Sequence, residues 1–596
     1  MDFSDPSADI PWIHQAAIHL GVTPPARPVG RCFAGSFDAS GIQPRHPFLK
    51  VTADAQLHNR DELIPALGMP RAEPEDLDDA ALILAAYEKW GEDCPAFLLG
   101  EYSFAIWDSR KEALFLCRDH MGVRPLYYWQ GHSRLAFASD PRSILRIPGV
   151  DRLLNRRKLS AMAVPGGQHL VPDETFHEGI LSVPGACWLK ADSTGLRKST
   201  FWKPEIRENL VPKQPGEAFE ALRALLFQAV ECRIRRSKRP AALLSGGLDS
   251  SSLVSIAARC LEGSNRTLTT LSAVLADELR MQIADEREFI AEFQSVPNIR
   301  MEYLTAPGHG PFDFIEDGRQ VEIAPVQTSR HYLYEAFEQA AAANGCDLIL
   351  DGEGGEMGAT CWAHGYYAEL AAGFRWMTLA GELRRARAAT GRSALRILAK
   401  DLRRMLPGRE RKHAPVVLLA DGFGDRSAKP VVRKLCRPSH QQFQLYAMTK
   451  WLEKHAVRGS WAATRHTRFS QPLRDKRVFD FCVSAPGNMK VRDGYPRYLV
   501  RGALDGILPK KIQWRTDKLP FSPDYYLRYN AQLGKAREFV SAIRENDPVR
   551  SVVDVERLRQ MINPVDPSVG GEQARDIVPA TIYLISFLRQ FSEYRV

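Results

Sequence analysis

A run of small apolar residues, Ala241-Ala242-Leu243-Leu244, leads directly into Ser245-Gly246-Gly247-Leu248-Asp249-Ser250-Ser251, and Leu253, Val254, Ile256 and Ala257 follow at helical spacing. A buried strand that turns through two glycines into a helix admits few folds. An amphipathic helix precedes it (Phe219, Leu222, Leu226, Val230), and further strands are expected at Leu268 to Leu275 and at Leu348 to Leu350. Strands alternating with helices in this way predict a parallel sheet, with the remainder to Val596 mostly helical. The turn also carries chemistry. Backbone N–H groups at a helix N-terminus attract an anion, and Gly246 and Gly247 let a phosphate approach with no Cβ in the way. Ser245, Ser250 and Ser251 add hydroxyls. Asp249 would repel a phosphate unless a divalent cation lay between them, which makes it a natural Mg²⁺ ligand. A Ser-rich helix cap is the plainer reading, but it requires neither adjacent glycines nor the Asp. The spacing is not Gly-x-x-x-x-Gly-Lys, so kinase or GTPase chemistry is not indicated.

A second loop, Asp351-Gly352-Glu353-Gly354-Gly355-Glu356, follows the strand expected at Leu348 to Leu350, at the end where such sheets place their ligands. By itself it could be an acidic turn. Farther on, Arg515-Thr516-Asp517-Lys518-Leu519-Pro520-Phe521-Ser522 offers a lysine that would be an ordinary surface residue without the two loops. Asp285-Glu286-Arg287-Glu288 reads equally well as a helix N-cap with Glu three residues on.

Together these motifs resemble the N-type ATP pyrophosphatases, and among them the asparagine synthetase-like enzymes. Gln471-Pro472-Leu473-Arg474-Asp475 and Gly494-Tyr495-Pro496-Arg497-Tyr498-Leu499-Val500-Arg501 also follow that pattern, and Asp285-Glu286-Arg287-Glu288 is similar to it as well as to an N-cap. The resemblance covers roughly 215 to 590. It implies cleavage of ATP between the α and β phosphates, with AMP left on a carboxylate. Nucleotide-binding positions then fall on Leu243, Ser245, Gly246, Gly247, Asp249, Ser250, Asp351 and Gly352, and Mg²⁺ on Asp249 and Glu356. Glu356 stands where the family has Asp, which keeps the charge and lengthens the arm. Lys518 takes the catalytic lysine position, and Glu353 a position associated with the acceptor-amine step.

The N-terminal part reads as α+β. Ser103 to Trp107 and Ala113 to Cys117 are strand-like, and a helix over Ala80 to Trp90 presents Leu82, Ile83, Ala86 and Tyr87 after the acidic Glu75 to Asp79. The polar, proline-rich stretch from Phe201 to Pro215 is a plausible linker, giving domains at 1–205 and 206–596. Residues 31 to 150 resemble the glutaminase domain of the same synthetases through Asn59-Arg60-Asp61-Glu62-Leu63, Leu99 to Asp108, Arg118 to Tyr128 and Phe137-Ala138-Ser139-Asp140. The expected fold is therefore an Ntn-hydrolase-like α+β sandwich followed by a parallel-sheet α/β ATP-pyrophosphatase domain with many helices.

Working glutaminases of this type use an N-terminal Cys whose own amine is the base. Here Asp2 follows Met1, and lining up Phe33-Ala34-Gly35 with the family's start puts Arg31, not Cys32, at that position. The family's Asn-Gly pair for the oxyanion is replaced by Asp54-Ala55, where a carboxylate would oppose a developing negative charge. No glutamine hydrolysis is expected, so the domain would scaffold or cover the substrate. A decayed glutaminase half at about this length resembles the β-lactam-type synthetases and, more closely, the lasso-peptide macrolactam synthetases, whose attacking amine belongs to the substrate. That resemblance implies a precursor core peptide as substrate, with a leader protease and a leader-binding protein as possible partners. An ammonia-dependent asparagine synthetase, a β-lactam-type enzyme and a binding relic without turnover remain the alternatives.

Charge and hydropathy bound the rest. The net charge of +9 is concentrated between Arg375 and Lys412, where twelve bases meet three acids, leaving 68 of each sign elsewhere. Leu379, Leu383, Ile397, Leu398, Leu402 and Met405 make this segment basic amphipathic helices, broken around Gly391 and ended by Pro407-Gly408. It is either a solvated face or a docking surface for an acidic partner; nucleic-acid binding is a weaker alternative and is not expected. Twelve uncharged residues from Ile577 to Leu588 fall short of the ~20 that a membrane span needs. The ten cysteines form no Cys-x-x-Cys pair, which argues against a disulfide framework and a zinc site. With no basic n-region and apolar core at the N-terminus, the expected location is the cytoplasm.

Overall fold

The computed structural model describes residues 46–69, 78–132, 134–163, 171–315, 329–405, 417–423, 439–455, 467–566 and 572–590. Arg31, Cys32, Glu75 to Leu77, Pro407-Gly408 and the basic residues between Arg409 and Lys412 lie outside them.

In the N-terminal half, β1 (Leu49–Leu57), β2 (Gly100–Asp108), β3 (Ala113–Arg118), β7 (Cys187–Asp192) and β8 (Gly195–Thr200) form an antiparallel sheet in the order β1-β2-β3-β7-β8. A second antiparallel sheet has the order β5-β4-β6, from β4 (Tyr127–Gln130), β5 (Leu135–Ala138) and β6 (Ile180–Ser182). Period-two alternation sorts the side chains into two buried layers. Phe104, Ile106, Phe115 and Cys117 pack on helix α1 (Asp79–Trp90) through Leu82, Ile83, Ala86 and Tyr87. Their neighbours Ala105, Trp107, Leu114 and Leu116 face Leu126, Tyr128 and Leu135 of the smaller sheet. The helix starts where an Asp78 side chain accepts the Ala80 N–H and stops at Gly91, whose φ of 59° suits glycine.

After Thr200 no regular strand or α-helix occurs until α2 (Pro215–Ile234), which carries Pro at its first turn, where no N–H is needed. The strands β9 (Pro240–Leu243), β10 (Leu268–Ala273), β11 (Ile299–Leu304), β12 (Leu348–Leu350) and β13 (Arg468–Ser470) form one all-parallel sheet in the order β11-β10-β9-β12-β13. Central β9 and β12 are buried along their whole length, as a sheet covered on both faces requires. Helix α3 (Leu248–Cys260) leaves the end of β9 and packs with α2 through Leu222, Leu226, Leu253, Val254 and Ile256. Two strands of this sheet leave no clear sequence pattern. β11 is an edge strand, and β13, three residues long within a mostly helical stretch, is too short for periodicity to reveal.

Beyond the acidic loop lie α4 (Tyr366–Ala372), α5 (Trp376–Thr390) and α6 (Ala394–Met405). The expected break at Gly391 is the left-handed C-cap of α5, with φ 68°. No described helix is long and apolar enough to cross a membrane.

Candidate active site

From β9 the chain winds outward through β10 to β11, whereas β12 lies on the other side of β9 and is followed outward by β13. The strand order therefore reverses between β9 and β12, and a crevice opens at their carboxyl ends. Both glycine-rich loops leave the sheet there. A Cβ on Gly352 would lie 3.2 Å from both Asp249 Cβ and Ser250 N, and one on Gly355 would overlap Asp249 Oδ1. The loops approach backbone to side chain, which only glycine permits. Gly246 adopts φ +67°, the left-handed region.

Within the first loop, Ser250 shapes the turn. Its buried Oγ accepts the Ser245 N–H at 3.0 Å, lies 3.0 Å from Ser245 Oγ and donates to Gly247 O at 3.3 Å. Ser250, expected among the phosphate-binding residues, has its hydroxyl engaged within the loop. Gly247 caps helix α3 and brings no side chain to it, so the first-turn N–H groups remain for a ligand.

Asp249 Oδ1 accepts a short hydrogen bond from Thr360 Oγ1, and Oδ2 lies 3.9 Å from an Arg497 guanidinium nitrogen. Arg497 stacks over Trp362 at 4.1 Å from the ring centroid and sits in the left-handed region, φ 61°. The surrounding protein and then the Asp249 carboxylate push Glu356 above the usual carboxylate range. Two carboxylates that repel each other at the mouth of an anion-binding turn are a donor set suited to a hard divalent cation. Asp249 and Glu356 thus fit Mg²⁺.

Lys518 reaches the loop from the far end of the sequence. A Cβ on Gly247 would meet its Cε and Nζ, each at 3.0 Å. The strap that delivers it is pinned by buried Glu286, which forms a short ion pair with Arg515, accepts a second hydrogen bond from Arg515 Nη2 at 3.1 Å and accepts the Leu519 N–H at 2.6 Å. Arg515 also donates to Gly246 O at 2.9 Å and covers the Phe289 ring at 3.5 Å. At the start of this segment Asp285 accepts the Arg287 and Leu275 N–H groups, as a capping carboxylate would, while Glu286 makes no cap and bridges to the strap.

On the second loop, Glu353 N donates to Asp351 Oδ1 at 3.2 Å, and Asp351 N donates to Ser470 O at 2.9 Å. Burial and then the Glu353 charge push Asp351 above the usual carboxylate range. Gln471 Nε2 donates to Glu353 Oε2 at 2.7 Å, and Arg474, stacked 4.2 Å over Trp451, donates to Gln471 Oε1. Gln471, Arg474, Thr360, Glu286 and Arg515 were not singled out for roles in the sequence reading.

The N-terminal half reaches this region through buried charge. Glu101 accepts a short hydrogen bond from Ser470 Oγ and lies 3.5 Å from Arg233 and 3.4 Å from Arg124. Burial alone would raise Glu101, but Arg233 and Arg124 outweigh it and hold the carboxyl at about 2. Arg124 also lies 3.6 Å from Asp54, while Arg233 pairs with Asp475 at 3.0 Å. A cavity of about 10 Å³ lies here, lined by His58, Glu101, Asp119, Arg233, Gln471 and Arg474 among others; it holds at most about one water. Burial and then Arg233 lower the adjacent His58 to about 3.

A chain that joins an antiparallel, helix-covered N-terminal half to a parallel sheet with facing phosphate and acidic loops has the layout of an ATP-dependent amide-forming synthetase. The asparagine synthase profile matches residues 221–581 and a glutamine amidotransferase domain profile matches 42–202. This chain belongs to the asparagine synthase family. It is 24% identical over 527 residues to asparagine synthetase [glutamine-hydrolyzing] 3 of Bacillus subtilis, which covers 86% of this chain and 81% of that one. It is 28% identical over 187 residues to a putative asparagine synthetase of Mycobacterium bovis, covering 30% of this chain and 28% of the relative. A solved glutamine phosphoribosylpyrophosphate amidotransferase from B. subtilis overlays at a TM-score of 0.19 and 12% identity, over 44% of this chain and 63% of its own.

Proposed function

We propose that this family member is an ATP- and Mg²⁺-dependent synthetase that closes a macrolactam, a lasso-peptide cyclase, and that it does not use glutamine as its amine source. The observation that supports the second point is Asp54, which stands where the family's oxyanion Asn is expected and lies 3.6 Å from Arg124. A carboxylate there opposes the negative charge that glutamine hydrolysis develops, so the attacking amine is read as the substrate's own.

In this reading an Asp or Glu side chain of the precursor peptide attacks the α-phosphorus of ATP. An acyl O–P bond forms, the bond to the β-phosphate oxygen breaks, and pyrophosphate leaves against the N–H groups of the Ser245–Ser250 turn. Asp249 and Glu356 would hold Mg²⁺, which supplies positive charge to the phosphates when bound. The peptide's N-terminal amine then attacks the acyl carbon and AMP departs. Glu353, oriented by Gln471, takes the proton from the amine, and Lys518 offsets charge on the departing phosphate. Ring closure requires a pre-folded peptide, so positioning supplies much of the rate. A leader protease and a leader-binding protein would prepare and deliver that peptide.

ATP–pyrophosphate exchange tests the reading with three substrates: aspartate, a small β-amino acid and a leader-free peptide with an internal acidic residue. Exchange driven by the peptide, with a product lighter by one water, is expected. Exchange driven by aspartate alone would overturn it in favour of an ammonia-dependent asparagine synthetase. The similarity over 86% of the chain to a B. subtilis asparagine synthetase, itself named as glutamine-hydrolyzing, supports the asparagine-forming part of that second reading.

A further inference from the structure

Helices α5 and α6 carry most of the chain's excess charge, and their two acids are spent inward. Glu382 is 6% exposed; it accepts the Gly494 N–H and pairs with Arg385. Asp401, also 6% exposed, accepts the N–H groups of Gly365, Tyr367 and Ala368 at the start of α4. The outer face thus keeps its bases and none of its acids. Arg384, Arg387, Arg392, Arg396, Lys400 and Arg403 are all exposed and make no ion pair among the described residues. The inner apolar stripe, with Leu379, Leu383, Ile397 and Leu398, is already packed on Tyr366, Leu370 and Val491.

The outer face of α6 is not purely charged. Leu395 is 78% exposed and Leu402 is 38% exposed, two helical turns apart, with Arg396 and Arg403 next to them in sequence and Lys400 farther round the exposed side of the helix. Leucines at this spacing flanked by bases form one half of a helix pair whose other half carries leucines flanked by acids. Phosphate backbones would match the arginines but leave the leucines unused, and a bilayer would require a continuous apolar face, which here is buried in the protein. The surface also connects to the nucleotide loop. Arg385 lies 3.6 Å from Asp493, and the β14–β15 hairpin (β14, Val491–Arg492; β15, Tyr495–Pro496) runs from there straight into Arg497, beside Asp249.

We infer that the outer face of α5 and α6 docks an acidic amphipathic helix of a partner polypeptide, with Leu395 and Leu402 as apolar anchors and the flanking arginines and lysine as the charge match. The inference stands on this face alone and is independent of which carboxylate the enzyme activates.

The probe is a fluorescein-labelled peptide of about 20 residues with leucines at heptad spacing and glutamates around them, titrated into the full chain and followed by anisotropy. A lysine-for-glutamate version, a duplex DNA of about 20 base pairs and anionic phosphatidylserine vesicles are the comparisons. The glutamate peptide is expected to bind best. Its affinity should fall about tenfold or more in R384E/R396E/K400E/R403E, while ATP binding, read by thermal shift, stays unchanged. L395S/L402S should remove the binding that survives high salt, and K400E/R403E gives a smaller loss if the quadruple variant folds poorly. Equal binding by the reversed variants, or preference for duplex or vesicles over the peptide, overturns the inference.

Discussion

Gln471 holds Glu353: its side-chain amide donates at 2.7 Å to Glu353 Oε2, and Arg474 fixes the amide from behind. Glu353 is exposed on a glycine-rich loop, and this bond fixes the direction of its carboxylate. The orientation matters most in the amine step. Gln471→Ala should slow amide formation by roughly 10- to 100-fold while ATP–pyrophosphate exchange changes little. Comparing single-turnover product formation with exchange checks it, and an equal loss in both would place Gln471 in the first half-reaction instead.

Removal of a carboxylate at the mouth of the phosphate turn has a different signature. Asp249→Ala should abolish exchange, because the carboxylate that Thr360 orients is gone. Glu356→Asp should retain exchange with a raised Mg²⁺ requirement, since the charge stays and the arm shortens. A Mg²⁺ titration of the exchange rate reads this out. An unchanged Mg²⁺ midpoint in Glu356→Asp would remove Glu356 from the cation site.

The Lys518 strap depends on Glu286. Arg515→Met leaves that buried carboxylate without its partner and should cost on the order of 3–5 kcal/mol of stability, measured by urea denaturation. Arg515→Met/Glu286→Leu should recover most of that loss but not the exchange activity, because the Leu519 N–H loses its acceptor. Recovery of both would show that the pair is not needed to position Lys518.

Lys490 gives a pH dependence. It is 2% exposed, bonded to His440 Nε2 at 3.0 Å and to Gln444 Oε1 at 2.5 Å, with no carboxylate partner among these contacts, and burial pulls it down to about 8. An unfolded lysine titrates near 10.4. Between these values an unfolded Lys490 binds more protons than the folded one, so this residue contributes a rise in stability with pH across the window, by up to about 3 kcal/mol, against the opposite slope of the buried thiols. Lys490→Met should flatten that rise and stabilise the protein at pH 7. Denaturation midpoints at pH 7 and pH 9.5 test both, and a variant with the same pH slope as the parent would refute the assignment.

How much of the site could be read from sequence follows from distance along the chain. The phosphate turn and the acidic loop are contiguous runs whose glycines announce the close approach, so Gly246, Gly247, Gly352 and Asp249 were identifiable before any coordinates. Their partners were not. Glu286 and Arg515 are 229 residues apart, Gln471 and Glu353 118, and Glu101 and Ser470 369. Such pairs leave no local pattern: an Asp-Glu pair before a helix reads as a cap, and the Gln471 to Asp475 motif says nothing about which loop its side chains reach. Ser250 shows the converse limit. Its position in the motif suggests a ligand contact, and the sequence does not show that its hydroxyl also holds the turn together.

Glu101 is set between one arginine from each half of the molecule. Such a carboxylate makes the two halves interdependent in evolution as well as in folding. Deleting the N-terminal half would strip Arg233 of one of its two acidic neighbours and expose the side of β13 that Ser470 presents. A lineage that stopped drawing nitrogen from glutamine could therefore lose the chemistry of this half one residue at a time, but could not discard the half itself without rebuilding the floor beneath its synthetase loops.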